Sequence, residues 1–267
     1  MRRALLAPLF AVAFALASDG RAGELLPPPP GSDAAEIARR AEDSMRSERT
    51  IMDAAMTVVS PRIATARVMR FQSWEERDSK RSFIRILSPA KDAGTGFLKL
   101  HPNLWMYIPR VERTMRIPPS MMLQSWMGSD LSNDDLVKES STLDDYSHRL
   151  LGIDPDPEGH SGHSAYVIEY IPHEEAPVVW GKIVAWIDRE RWAPLQQDFY
   201  DEDGEVLRRI RFADIRQIGD RWVPHHWSVV PLDKEGYSTT VEIERFVFDP
   251  EIDPEIFTKR NLRKARR

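Results

Sequence analysis

Most of the chain alternates between apolar and polar residues with a period of two, and this pattern constrains the fold more than any other feature. Ile210 and Phe212, for example, fall on one side of an extended strand, whereas Arg209 and Arg211 fall on the other. Turn sequences such as Asp203-Gly204 separate the alternating segments, with little helical pattern between them. The chain is therefore predicted to be mainly β, with an antiparallel sheet that has one apolar face.

Strands and helix are predicted at definite places. A helix is expected over 32–47, where Ile37, Ala41 and Met45 recur on one face. The segment 154–164 is rich in Gly, Pro and His and is predicted to be a loop. The predicted strands are 65–71, 82–87, 96–101, 104–108, 113–117, 146–151, 165–171, 182–187, 195–200, 206–218, 222–230 and 238–248.

The N-terminal residues have the pattern of an export signal. Arg2 and Arg3 precede an apolar run at 4–17 that is too short to cross a bilayer as a helix. Small residues allow cleavage after Ala17 or Ala22, and we favour Ala22, which makes 1–22 the signal peptide. The alternative is an N-terminal membrane anchor.

After the predicted signal peptide, a proline-rich leader occupies 23–32 and one domain occupies 33–267. The chain has no cysteine, so it can form no disulfide, thiolate metal site or lipidated N-terminal cysteine. The predicted product is therefore an exported protein, soluble in the periplasm.

Composition excludes some functions. Hydrophobic residues make up 42% of the chain, which is enough for a packed core. The formal net charge is -5, and a protein that neutralises phosphates needs a basic surface, so nucleic acid is not an expected partner.

No residue set predicts catalysis, a metal or a cofactor. His160 and His163 have an HxxH spacing, but they lie in the glycine-rich loop, where a solvated loop is the alternative. His225 and His226 are adjacent in a strand, so their side chains diverge. The Ser129-Asp130 pair has no histidine implied nearby, and motifs such as GxSxG and the P-loop are absent. The chain is therefore predicted not to be an enzyme.

The Met-rich segment, residues 118–137, interrupts the strand pattern after a double proline. It contains Met121, Met122, Trp126 and Met127, which are too apolar for an exposed loop. Methionine adapts to irregular ligands, although it also fills ordinary cores. We expect this segment to cover the apolar face of the sheet as a plug or lid, with a lipid chain enclosed beneath it.

Three ordered blocks carry a resemblance to a known family. They are SPAKDAGTGFL at 88–98, LWMYIP at 104–109 and WMGSDLSNDDL at 126–136. Together with 239–248, these blocks resemble the outer-membrane lipoprotein-sorting proteins, a family of LolA-like periplasmic proteins. Trp126 and Leu131 stand where the family pattern is expected to have Phe, and both changes remain apolar.

The resemblance implies a fold, a cargo and a set of ligand-binding residues. The fold would be a half-open antiparallel β-barrel with helices packed in its concave face, and the cargo a lipid or lipoprotein acyl chain. Phe97, Trp105 and Tyr107 take alternate strand positions and are predicted to line the cavity with the Met-rich segment. An RND/MMPL-type or ABC transporter is an implied partner.

Two functions follow from these expectations. The first is a periplasmic carrier or chaperone that moves a lipid or lipoprotein towards the outer membrane. The alternative is a non-enzymatic accessory or sensor module that docks on a transporter. The tail 259–267 is rich in Lys and Arg, which predicts either a solubilising end or transient contact with an anionic membrane surface.

Overall fold

The computed structural model describes residues 24–137, 142–176 and 178–264. The predicted signal peptide, 1–22, lies outside the described residues. In the described part of the chain, no helix combines the length and apolar character needed to cross a bilayer.

One antiparallel sheet of 13 strands forms most of the structure, in the order β6-β5-β4-β3-β2-β1-β13-β12-β11-β10-β9-β8-β7. Neighbours in the sheet are neighbours in the chain except where β1 meets β13. The mainly β, antiparallel prediction is confirmed. The strands are β1 (Arg49–Val59), β2 (Arg67–Glu76), β3 (Arg81–Ser88), β4 (Gly96–Leu100), β5 (Asn103–Ile108), β6 (Arg113–Ile117), β7 (Tyr146–Asp154), β8 (Ala165–Pro172), β9 (Lys182–Asp188), β10 (Pro194–Tyr200), β11 (Val206–Ile218), β12 (Arg221–Pro231) and β13 (Ser238–Phe248).

Strand β1 was not among the predicted strands, and this is a correction. Its buried residues Ala54, Met56 and Val58 do alternate. The alternation is interrupted by a register shift at Asp53/Ala54, and Ala and Met are strong helix formers, so local preference opposes the strand. Pairing with β2 on one side and β13 on the other stabilises it instead.

The two faces of the sheet bury different clusters. The concave cluster collects apolar side chains from both halves of the sheet, from α1 (Ala34–Met45) and from the Met-rich segment. The convex cluster is smaller and lies on one half only. Its buried members are Phe83, Leu98, Tyr107, Ile252, Phe257 and Leu262.

The C-terminal segment is fastened to the convex face by a buried arginine. Arg85 on β3 donates to the carbonyl oxygens of Asn261 at 2.6 Å and Leu262 at 3.1 Å, which end the short helix α3 (Lys259–Leu262). The same guanidinium donates to the Gly94 carbonyl at 2.8 Å. Arg85 is itself 5% exposed, so these hydrogen bonds satisfy a charge that burial would otherwise penalise.

Helix α1 lies on the concave face, where it contacts β7, β8 and β12. The Asp33 carboxylate accepts from the Ala35 amide at 2.9 Å and caps the first turn. Ile37 and Ala38 are buried beneath the helix. Before the helix, Leu26 of the leader forms an antiparallel bridge with Ile153 of β7.

The convex cluster generates a stability prediction. Leu262 is 0% exposed, so Leu262→Ala should lower the free energy of unfolding by roughly 2–5 kcal/mol through lost burial and a cavity. Leu87→Ala, at a position 43% exposed, is the matched control and should change it by less than about 1 kcal/mol. Chemical denaturation measures both free energies. A loss for Leu262→Ala as small as that for Leu87→Ala would show that packing of the C-terminal segment does not stabilise the fold.

Candidate functional site

The structure separates the seven predicted ligand-binding residues into three groups. Phe97 and Trp126 lie in the concave cluster with Phe71. The Trp126 ring is 5.5 Å from the ring of Phe71 and 5.6 Å from that of Phe97, between centroids. Trp126 is 1% exposed, so this aromatic group is packed core between the sheet and the Met-rich segment, to which Trp126 belongs.

Trp105 and Tyr107 lie on the opposite face of the sheet, and their expected place beside Phe97 is corrected. Across the β4–β5 pair, Phe97 is opposite Met106, whereas Trp105 is opposite Leu98. Both aromatic residues therefore join the convex cluster. The Lys259 ammonium lies 3.5 Å from the Trp105 ring centroid, so that ring supports the C-terminal segment.

The Met-rich segment covers the concave face, as expected. Met122 and Met127 pack against the concave cluster, whereas Met121 is 36% exposed. Side chains of the sheet hold the segment down. Arg67 donates to the Met127 carbonyl at 2.7 Å.

A second anchor lies further along the Met-rich segment. The Thr239 hydroxyl on β13 donates to the Asp130 carboxylate at 2.7 Å. Ser129 donates to the Trp126 carbonyl at 2.7 Å. The Ser129-Asp130 pair thus fixes the local conformation of the segment and its contact with β13. Burial raises the pKa of the Asp130 carboxyl.

The main cavity lies between α1 and the strands β8–β12. Its volume is about 240 Å³. Aromatic and aliphatic side chains form most of its wall, and α1 forms its roof. Representative lining residues are Ala41, Met45, Trp180, Ile183, Phe199 and Trp227.

Two further cavities share lining residues with the main one, and we call the three together the concave groove. A cavity of about 260 Å³ shares Trp180 and Asp135 with it and reaches Lys234 at the β12–β13 turn. A cavity of about 110 Å³ shares Met45 and reaches Glu75 at the opposite end of the strands. The three cavities therefore span the sheet from one end of the strands to the other, and α1 lines the main cavity and the one that reaches Glu75.

None of the seven predicted residues lines these three cavities. Much of the main cavity's lining comes from residues in the second half of the chain, such as Trp180 before β9, Phe199 on β10 and Phe212 on β11. A sequence signal for some of them exists, since Ile210 and Phe212 form the apolar side of an alternating strand. Alternation alone does not tell a cavity wall from a packed core.

One charged pair lies within the groove wall. Arg208 on β11 donates to both carboxylate oxygens of Asp135 on α2 (Asn133–Val137), at 2.7 and 2.9 Å. The guanidinium lies over the rings of Phe199, at 4.2 Å, and Trp180, at 4.7 Å. Burial raises the pKa of Asp135, but the charge and hydrogen bonds of Arg208 outweigh it and hold that pKa below its usual value.

The C-terminal end of α1 is tied to both halves of the sheet. Arg221 on β12 donates to the main-chain carbonyls of Asp43 and, at 2.6 Å, Arg46. Arg77, which follows β2, pairs with Asp43 at 3.0 Å, and Arg46 pairs with Glu75. These contacts are polar and lie at the helix end, so the apolar roof of the groove is free of them.

The histidines considered as metal ligands do not gather at one site. Nδ1 of His163 is 2.8 Å from the Asp188 carboxylate, and burial lowers the pKa of His160. His225 is buried, whereas His226 contacts the Glu242 carboxylate at 2.6 Å on the other side of β12. Within the described residues, no group of three or more His, Asp or Glu side chains could hold a metal ion.

Comparison with known proteins places the chain in a family. A family profile described as "Uncharacterized protein" matches residues 78–264. The chain belongs to that family. No curated protein matches it in sequence.

Solved structures share the fold over most of its length. A putative outer membrane lipoprotein-sorting protein domain from Vibrio parahaemolyticus is 24% identical, with a TM-score of 0.73 over 86% of this chain and 98% of that one. A DUF1329 family protein from Desulfovibrio piger is 22% identical, with a TM-score of 0.76 over 86% and 97%. The LolA superfamily protein NE2245 from Nitrosomonas europaea is 19% identical, with a TM-score of 0.70 over 86% and 99%. The predicted resemblance is confirmed at the level of the fold.

The Asp135–Arg208 pair generates a prediction about acid stability. Asp135→Asn leaves a buried guanidinium without its counter-ion and should destabilise the protein by roughly 3–5 kcal/mol at neutral pH. A carboxylate whose pKa is lowered by folding stabilises above its usual pKa of 3.8 and loses that contribution as the pH falls through the folded value. The difference between wild type and variant should therefore shrink as the pH falls below about 4.

Urea denaturation across pH 3 to 7 measures this difference. Asp203→Asn, in an exposed turn, serves as the control and should follow the wild type at every pH. A constant difference for Asp135→Asn would contradict the assigned role of the carboxylate charge.

Proposed function

We propose that the protein is a carrier that binds an acyl chain of a lipid or lipoprotein in the concave groove. One observation supports this above the others. The main cavity has a mostly apolar wall beneath α1, and the hydrogen bonds and ion pairs that tie α1 to the sheet lie at the C-terminal end of the helix. An acyl chain is a long, narrow, apolar ligand that such a cavity would accept.

Size and energy are consistent with this ligand. The main cavity, at about 240 Å³, is slightly smaller than the usual range for small-molecule sites, roughly 300–1,000 Å³. The shared walls with its neighbours, and a displacement of α1, would enlarge it. Each buried methylene contributes about 0.8 kcal/mol, so eight of them would contribute about 6 kcal/mol before the cost of ordering the chain and moving α1.

The charged pair in the wall does not argue against an apolar cargo. Arg208 and Asp135 neutralise each other through two hydrogen bonds, so the pair adds no net charge to the groove. A polar headgroup would lie near Asp130, Asp233 and Lys234, where the groove reaches the β12–β13 turn.

The proposed function includes a location and a partner for the carrier. The export signal predicted at 1–22 would place the carrier in the periplasm, where the cargo moves towards the outer membrane. An RND/MMPL-type or ABC transporter would deliver or receive the cargo. The role is non-enzymatic, since a carrier needs only binding and release. The shared fold with a putative lipoprotein-sorting domain supports this assignment.

A cavity-filling substitution tests the binding site. Ala41 lies on the roof of the groove, so Ala41→Phe should occupy the space of the ligand and weaken binding of a fluorescent fatty acid by roughly tenfold or more. The smaller Ala41→Leu should have an intermediate effect. Fluorescence titration gives the affinities, and thermal unfolding confirms that both variants are folded.

The matched control is Ala64→Phe, in the exposed β1–β2 turn, which should bind like the wild type. Unchanged affinity for the fatty acid in a folded Ala41→Phe variant would show that the groove is not the binding site. Absence of fatty-acid binding by the wild type would instead favour an accessory module that docks on a transporter.

A further inference from the structure

Three turns of the first half of the sheet lie at one end of the strands. Because β1 to β6 pair in sequence and antiparallel, the turns at 60–66, 89–95 and 109–112 come together at that end, and the turns after β2 and β4 lie at the other. We call these three turns, with residues 262–264, the basic rim.

Contacts join these segments into one surface. A Cβ atom added to Gly94 would lie 3.0 Å from Cγ of Pro109, so the turns at 89–95 and 109–112 are in contact. Arg85 donates to the carbonyls of both Gly94 and Leu262, which brings the end of α3 to the same place. The C-terminal residues Arg263 and Lys264 therefore leave the fold at the rim.

The tips of the turns expose apolar side chains. Val111, at the tip of the β5–β6 turn, is 60% exposed, and Ile63, in the β1–β2 turn, is 41% exposed. Val68 and Leu87 are 51% and 43% exposed just behind them, on β2 and β3. A single exposed apolar side chain needs no explanation, but a concentration of them at one end of a sheet marks a candidate interaction or membrane-contact surface.

Cations occupy the same segments as these apolar tips, and Arg62 and Arg110 directly precede Ile63 and Val111 in sequence. Exposed members are Arg62, Lys91, Arg110, Arg263 and Lys264, and none of them makes an ion pair within 4 Å among the residues that the structure describes. Asp92 is neutralised by Arg67, at 2.9 Å, which leaves Glu112 as the acidic side chain between the tips. The rim is thus positive, although the whole chain has a net charge of -5.

The other half of the same end has the opposite charge. The β10–β11 turn carries Asp201, Glu202, Asp203 and Glu205 and no Lys or Arg. An anionic surface would therefore attract one half of this end and repel the other, which defines an orientation.

We propose that the basic rim docks on an anionic lipid bilayer, with Val111 and Ile63 inserted among the headgroups and the surrounding cations against lipid phosphates. The groove reaches the same end of the sheet at the β12–β13 turn. That turn touches the β1–β2 turn, since a Cβ atom on Gly236 would lie 2.9 Å from Cγ of Pro61. Docking in this orientation brings the groove close to the bilayer, whatever the groove binds.

Site-specific fluorescence tests the docked surface. The chain has no cysteine, so Val111→Cys and Ile63→Cys each accept one environment-sensitive label. Vesicles of phosphatidylglycerol and phosphatidylcholine at low salt should shift both emission spectra to the blue and shield the labels from iodide. Leu151→Cys, 37% exposed on β7, is the matched control and should show neither effect. Equal shifts at 63, 111 and 151, or no shift at 63 and 111, would overturn the proposal.

Charge substitutions test the electrostatic part. Arg62→Gln and Arg110→Gln should each weaken binding to these vesicles by roughly fivefold, and the double variant by roughly 25-fold. Lys80→Gln, in the turn at the opposite end of the strands, should leave binding unchanged. Pure phosphatidylcholine vesicles should bind all variants equally weakly. Unchanged binding by the double variant would overturn the proposal and leave a protein partner as the ligand of the rim.

Discussion

The pairing of β1 with β13 is the interaction on which the rest of the structure depends. It runs from Thr50 opposite Phe248 to Val59 opposite Ser238 and joins the strands that begin and end the sheet sequence. Without it, the chain would form two separate antiparallel meanders, each with one apolar face exposed. With it, apolar side chains of both halves meet in one concave cluster, and burial of that cluster supplies the main driving force for folding.

The concave face is filled unequally, and this inequality creates the groove. On the β1–β6 side, Trp126 packs between Phe71 and Phe97, and of the three cavities the smallest, about 110 Å³, reaches this half. On the β8–β12 side, α1 spans the face with small residues such as Ala38 and Ala41, and space remains beneath it. The larger open space therefore lies on the half of the sheet that α1 covers.

The strand pattern could be predicted because alternation is a local property of each segment. Ile210 and Phe212, for instance, reveal their face without reference to the rest of the chain. Strand β1 could not be predicted in this way, because Ala54 and Met56 have no strand preference. The strand depends on pairing with β2 and with β13, which is distant in sequence. The faces of Trp105 and Tyr107 depended on the register of the β4–β5 turn, where Leu100 pairs with Asn103. A shift of one residue moves every side chain to the other face.

The groove itself was less accessible to sequence reasoning. The Met-rich segment was expected to cover the apolar face, and it does, but packing volume rather than hydrophobicity decides whether space remains underneath. Large residues such as Trp180 and Phe199 line a cavity, whereas Trp126 fills one. Only the three-dimensional arrangement separates these cases.

Native mass spectrometry of the protein, purified without detergent, is the decisive test for an acyl-chain cargo. We expect one acyl-chain lipid bound per protein molecule, released when the protein is denatured and reduced in occupancy by the Ala41→Phe substitution. Protein that is free of lipid and that also fails to take up a fluorescent fatty acid would contradict the carrier function.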